Sequence, residues 1–393
     1  MKVFLFCVLL AGAASGASVS IDVLDATVKD KRVSGASVIL QQTGETSLLA
    51  TTDANGKATI TSPKTLKSDA LIIIKKEGFS DLVAKCPCDG LTYALSPVMK
   101  SLDGMRIVLS WGAAPKDLDS RLIYKAVNGV EQHIYYDNRN GVGADLDVDD
   151  IDSFGPETIT ITKLQSSQSY IYAVTDYSNF DKPKSRALSN SGAKVFVYTG
   201  QSLVKTYNVP LNQAGNIWTV FRVDPNGQIT DLNAINGFKY FDSQRNKLVS
   251  MIRQFADSAA LSRTINDSVN PAAIEQNRLG ENAYHSGNIE GSIGFYQNAV
   301  AYDPNFAQAY SNMGLSYLKL NRFSESIWAN RNAISLASGE GANIVRASSY
   351  YNIARLYEQD KIFAEALRYY ELAKSENDNP TYDKAIARVK AKR

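Results

Sequence analysis

Residues 279–304 read LGENAYHSGNIEGSIGFYQNAVAYDP, and their order of small, aromatic and proline positions returns further along the chain. Leu279-Gly280-x-x-Ala283, Ser292, Tyr296, Ala299 and Pro304 are followed, 34 residues on, by Met313-Gly314-x-x-Tyr317, Ser326 and Ala333. A third copy, Ile353-Ala354-x-x-Tyr357, Ala366, Tyr370 and Ala373, comes after a spacing of 40, with Ser338-Gly339-Glu340-Gly341-Ala342 taking up the extra length. A fixed period of this size marks stacked helix pairs, none of which buries its apolar face alone. Small residues at Gly280, Gly314 and Ala354 let the two helices of a pair approach. The tyrosine and leucine stripe is therefore expected in the core, and Asn330, at a normally bulky position, leaves the register intact.

These copies resemble tetratricopeptide (TPR) repeats, three helix pairs over 272–378, with 379–393 as a basic helix end carrying Lys384, Arg388, Lys390, Lys392 and Arg393. The resemblance implies a concave groove that grips a protein or peptide ligand. Its matching positions here are Asn277, Glu281, Tyr284, Lys319, Tyr351, Arg355 and Glu358. They are mixed in sign and poor in lysine, so they do not reproduce the carboxylate clamp of chaperone-binding members. The bland alternative is an array that serves only as a spacer or a dimer contact.

At the other end, Met1-Lys2 leads into an apolar run, Val3 to Ala14, and then Ser15-Gly16-Ala17. The run is too short to span a bilayer and ends in small residues, which reads as a signal peptide over 1–17, cut after Ala17, and an exported product, periplasmic or secretory. No later stretch reads as a transmembrane segment; the best, Ala70 to Ile74, meets Lys75, Lys76 and Glu77 at once. The 393 residues carry 42 basic and 40 acidic side chains, a balance without the general electrostatic footprint of a nucleic-acid binder. Beyond the leader the cysteines are Cys86 and Cys88, expected as two quiet thiols or a small local disulfide rather than a redox pair. Asn266-Asp267-Ser268 would accept a glycan on a eukaryotic secretory route.

Between these ends the chain reads as β structure. Over 18–100, short alternating runs such as Val19 to Val23 and Ser37 to Leu40 are separated by turn residues such as Asp53-Ala54-Asn55-Gly56. With Val33-Ser34-Gly35-Ala36-Ser37-Val38 and the late Gly78-Phe79, this region resembles the carboxypeptidase regulatory-like domain, which implies an adhesive or spacer sandwich without an active site. Over 103–225 the ordered set Ser110-Trp111-Gly112, Asp117-Leu118-Asp119-Ser120, His133-Ile134-Tyr135-Tyr136, Leu146 to Asp150 and Phe154 to Thr158 resembles the uncharacterised exported YfaP-like family. Residues 226–271, with Leu248, Met251, Ile252 and Phe255 at helical spacing, read as a helical connector. The expected fold is thus two antiparallel β-sandwich-like domains followed by an all-α TPR array.

Asp145, Asp147 and Asp149 alternate, so an extended strand would put their carboxylates on one face, with Asp117 and Asp119 approaching from a neighbouring loop. Like charges held together invite a hard cation, and calcium, with six to eight oxygen ligands and tolerant geometry, suits such a set. An EF-hand is excluded, because counting from Asp145 puts Asp150 where glycine is needed and Pro156 where glutamate is needed. The first expectation for these residues is nonetheless a solvated acidic loop whose Asp side chains cap turns, with calcium as the alternative. With no nucleophile elbow, phosphate loop or zinc-protease motif, and with only His133 and His285, the chain is not expected to be an enzyme. The leading expectation is an exported adaptor that binds a protein through its array. The rival is a carbohydrate-binding or glycoside-acting protein using the acidic loop.

Overall fold

The structure, a computed structural model, describes residues 16–67, 69–165, 168–225, 227–261 and 269–392. The leader read over 1–17, apart from Gly16 and Ala17, lies outside them, as does Asn266-Asp267-Ser268. The chain divides into two compact units, Met1–Pro97 and Val98–Arg393.

The first unit holds β1 (Ala17–Asp25), β2 (Ser37–Gln41), β3 (Leu48–Thr51), β4 (Lys57–Ser62), β5 (Leu71–Lys75), β6 (Leu82–Lys85) and β7 (Leu91–Leu95). They form two sheets, ordered β4-β1-β7 and β3-β2-β5-β6. Alternation sorts the side chains: Val19 and Ile21 of β1, Val38 and Leu40 of β2 and Ile72 and Ile74 of β5 are buried while their neighbours are not. The turn between β3 and β4 is set by Asp53, whose Oδ1 accepts the backbone N–H of Asn55 and of Lys57, each at 2.8 Å. One pairing is parallel, β1 with β7. Cys86 and Cys88 are joined by a disulfide.

The second unit begins with a larger sandwich of β8 (Met105–Ser110), β9 (Leu118–Lys125), β10 (Glu131–Ile134), β11 (Ala144–Val148), β12 (Glu157–Ile161), β13 (Tyr170–Asp176), β14 (Lys194–Thr199), β15 (Ser202–Asn208), β16 (Ile217–Val223) and β17 (Ile229–Asn236). Its two five-stranded sheets run β10-β9-β13-β16-β17 and β11-β12-β8-β14-β15. Trp111, Ile159 and Val195 from one sheet and its flank meet Tyr172, Trp218 and Phe221 from the other in a single core.

The helical connector expected over 226–271 is corrected here. Ile229–Asn236 is an edge strand paired with β16, so the sandwich continues past residue 225. Only Ile229 and Ile235 of that strand are buried, and the register shifts midway, which leaves no period-2 pattern to read. The helical spacing belongs to α1 (Arg245–Leu261), whose Leu248, Val249, Ile252 and Ala256 cover Ile123, Ile171, Ala173 and Ile217 on the sheet face.

Among the described residues seven more helices follow: α2 (Pro271–His285), α3 (Ile289–Tyr302), α4 (Ala307–Lys319), α5 (Phe323–Leu336), α6 (Ala342–Gln359), α7 (Phe363–Glu376) and α8 (Pro380–Lys390). Their starts follow the sequence. Asn270 and Asn379 precede Pro271 and Pro380 and cap the N–H groups of Ala272 and Thr381, each at 2.9 Å. Within pairs the small residues matter sterically: a Cβ on Gly280 would strike the Tyr296 ring, and one on Gly314 would strike the Asn330 amide. Asn330 is fully buried and satisfied, donating to the Ser326 carbonyl at 2.8 Å and accepting from Asn352 at 3.1 Å.

The array is anchored on the larger sandwich through α5 and the edge beside it. Trp328 packs against the sandwich core, and Ser324 Oγ accepts the Gln201 N–H at 3.2 Å. Ser202 donates to Glu325 at 2.7 Å. Asp103 receives both Arg331, at 2.9 Å, and the Tyr357 hydroxyl, at 2.5 Å, while Leu102 inserts among Leu318, Ile327 and Leu356.

Candidate functional site

The first helices of the three pairs, α2, α4 and α6, carry all seven groove positions read from the sequence. On α2, Glu281 Oε1 accepts from Asn277 at 2.9 Å and from Asn312, on α4, at 3.0 Å; Asn312 also donates to Asn277 Oδ1 at 3.0 Å. Sequence reasoning missed Asn312, although it follows Ser311, the residue one period after Asn277. Tyr284 is half-buried one turn on, and Lys319 is exposed at the end of α4. On α6, Arg355 is half-buried, whereas Tyr351 is occupied by packing on Tyr370 and Tyr382 at ring separations of 5.3 and 5.2 Å.

Glu358 is the most heavily engaged of the seven. Arg388 donates to both of its oxygens, at 2.8 and 2.7 Å, Tyr370 donates at 2.9 Å and Lys392 at 3.1 Å. The Arg388 hydrogen bonds, joined by those from Tyr370 and Lys392, outweigh partial burial and hold the carboxyl down at about 2, from an ordinary 4.5. The basic C-terminal helix is therefore not simply solvated: it closes the third pair over Glu358.

The acidic residues expected as calcium ligands separate into two groups. Asp145 and Asp147 lie on the outward face of β11, where Thr160 donates to Asp147 at 2.5 Å and Arg106 stands 4.0 Å away. The pairing register shifts between Leu146 and Val148, and Asp149, just past the end of β11, comes beside Glu157. The set of five on one site is thus corrected: Asp145 and Asp147 do not join it. Asp117 and Asp119 do come together, and the residue they meet is Glu157 at the start of β12, with ligand oxygens of all three within 4.8 Å of one another.

That cluster is crowded, with Asp117 half-buried and the other two carboxylates enclosed. Asp119 is 3 % exposed and Glu157 1 %. Burial first, then repulsion from Asp119, Asp149, Asp150 and Asp176, pushes Asp117 up to about 7. Burial likewise lifts Asp119 to about 6 despite Arg121, which donates to it at 3.0 Å, and raises Glu157 well above its usual range. Arg121 itself is fully buried, held by Thr175 at 2.7 Å and by the faces of Tyr135, Tyr136 and Tyr240. His133 is a strand residue stacked on Tyr135 at 4.3 Å; burial and the nearby arginines bring it down to about 3.

Compared with known proteins, residues 280–321 match the TPR repeat family. No curated protein matches the chain. Among solved structures, the N-terminal domain of stress-induced protein-1 from C. elegans is 19 % identical, covering 32 % of this chain and 99 % of its own, with a TM-score of 0.28. The TPR2B domain of yeast Sti1, solved as a pHsp70 complex, is 20 % identical over 32 % of this chain and 100 % of its own, TM-score 0.29. The Yersinia enterocolitica type III secretion chaperone SycD, bound to a peptide of the translocator YopD, is 18 % identical over 32 % and 93 %, TM-score 0.27.

Proposed function

We propose that the protein is an exported, non-catalytic adaptor that holds a segment of a partner protein against the first helices of its TPR array, with the two sandwiches as spacer or adhesive modules. One observation carries the reading. The array is fixed to its sandwich through Ser324, Glu325, Arg331 and Tyr357, and among the described residues none of the seven groove positions takes part in those hydrogen bonds. A helical stack anchored on one side keeps the opposite side for a ligand. The polar, mixed-sign lining of Asn277, Glu281, Lys319 and Arg355 suits an extended segment bound through backbone and neutral polar groups rather than a clustered acidic tail. Export is supported by the apolar leader and by the Cys86–Cys88 disulfide, a bond kept in oxidising compartments.

The test is capture from native extract with the full chain, comparing wild type with a variant carrying Lys319→Glu and Arg355→Glu. A partner held by wild type and released by the double variant supports the groove. A partner held equally by both refutes it.

A further inference from the structure

The unit that anchors the array holds, at one end of the sandwich, a cluster that the adaptor reading leaves unused. Asp117 stands in the loop before β9, Asp119 in β9 and Glu157 at the start of β12, so the three carboxylates come from both sheets. Their positions are fixed. The Asp117 N–H donates to Ser178 Oγ at 3.0 Å, and its carbonyl accepts the Ser178 N–H at 3.4 Å. Asp119 is held by Arg121 at 3.0 Å and Thr175 at 3.3 Å, and Glu157 Oε2 accepts the Ser120 N–H.

A second observation points to a ligand. Glu157 is 1 % exposed, and among the described residues no N–H or neutral hydroxyl donates to its other oxygen, Oε1; the side chain that meets Glu157 is a further carboxyl group, Asp149. Asp117 Oδ1 is likewise buried without a partner. A buried carboxylate oxygen that accepts nothing carries a full desolvation penalty, and two of them facing a third carboxylate add repulsion. Arg121 alone does not offset this, since it lies on the Asp119 side with its guanidinium spent on Asp119, Thr175 and the tyrosine faces.

We propose that Asp117, Asp119 and Glu157 bind a single calcium ion that ties the two sheets together. Two oxygens bound to one calcium at 2.3–2.6 Å lie at most about 5 Å apart, against about 4.2 Å for magnesium. The three ligand oxygens, all within 4.8 Å of one another, lie inside the calcium span, and their irregular origin in a loop and two strands suits calcium's tolerant geometry. Three carboxylates supply three to six of the oxygens calcium takes, and water fills the remaining positions. The cation also supplies the positive charge that this end lacks.

The experiment uses the full chain, stripped with a chelator, titrated with calcium by calorimetry and by competition against terbium, whose emission is sensitised through the neighbouring Tyr172. The expected result is one saturable site with a Kd of about 10⁻⁴–10⁻³ M, the range of extracellular calcium modules. Calcium should also raise the thermal midpoint by roughly 2–4 °C. Glu157→Gln, and independently the less buried Asp117→Asn, should each weaken binding by about tenfold or more. No saturable binding in wild type, or unchanged affinity in both variants, overturns the proposal; equal affinity for magnesium overturns the assignment to calcium.

Discussion

Carboxylates behave in opposite ways in the two halves of the second unit. In the array, Glu358 lies where Arg388, Lys392 and Tyr370 all point donors at it, and its acidity rises. At the end of the sandwich, Asp117, Asp119 and Glu157 sit among other acids with one arginine between them, and their acidity falls. Burial opposes ionisation in both places, so the difference is one of supply. The array completes its own charge pairs and gains cohesion from them, whereas the sandwich gathers negative charge whose partner must come from outside. The same contrast separates the surface proposed to hold a protein segment from the pocket proposed to hold an ion.

The sharpest way to break the comparison is to cut the two halves apart. Asp103→Ala leaves Arg331 buried without its partner and frees the Tyr357 hydroxyl, with an expected loss of about 3–5 kcal/mol. Denaturant unfolding followed separately by tryptophan fluorescence and far-UV dichroism should then show the array melting before the sandwich; coincident, unshifted transitions would refute the coupling. Next in size, Gly314→Leu forces a side chain against Asn330 and should cost about 1–3 kcal/mol in the array. Calcium titration of that variant should match wild type, and a lost ion site would mean the two halves are not separable.

Smaller again is Glu358→Gln, expected to lower stability by about 1 kcal/mol or less, because Arg388 and Lys392 remain half-exposed. Its pH dependence has a definite sign. The folded carboxyl titrates near 2 and the unfolded one near 4.5, so between these values the unfolded state binds more protons. The contribution is complete above about 4.5 and fades as the pH falls through about 2. Thermal midpoints of wild type and variant should therefore differ at pH 6 and converge near pH 2; a gap that widens in acid contradicts the pairing. The smallest effect belongs to Lys319→Ala, exposed at the end of α4, which should change stability by no more than about 0.5 kcal/mol while reducing retention of the captured partner.

Where the chain's own periodicity governs, the sequence was readable. The copies spaced 34 and then 40 residues apart, with glycine or alanine at Gly280, Gly314 and Ala354, announced helix pairs, and the structure brings Gly280 against Tyr296 as the spacing requires. Alternating runs announced the sandwiches. The edge strand Ile229–Asn236 was hidden, because a strand with little to bury has no alternation to display.

One signal for the ion site was present. Glu157 shares its strand face with Ile159 and Ile161, and a carboxylate in an apolar alternation is out of place unless something meets it. Composition and spacing by themselves determined the helical array, its small-residue seams and the β-rich character of the remainder, since those depend on neighbours within a turn or a strand. Only the tertiary structure decided that Glu157 rather than Asp145 and Asp147 meets Asp117 and Asp119, and that Asp103 locks the array to its sandwich. Those contacts depend on strand register and on which surfaces pack, which no local pattern encodes.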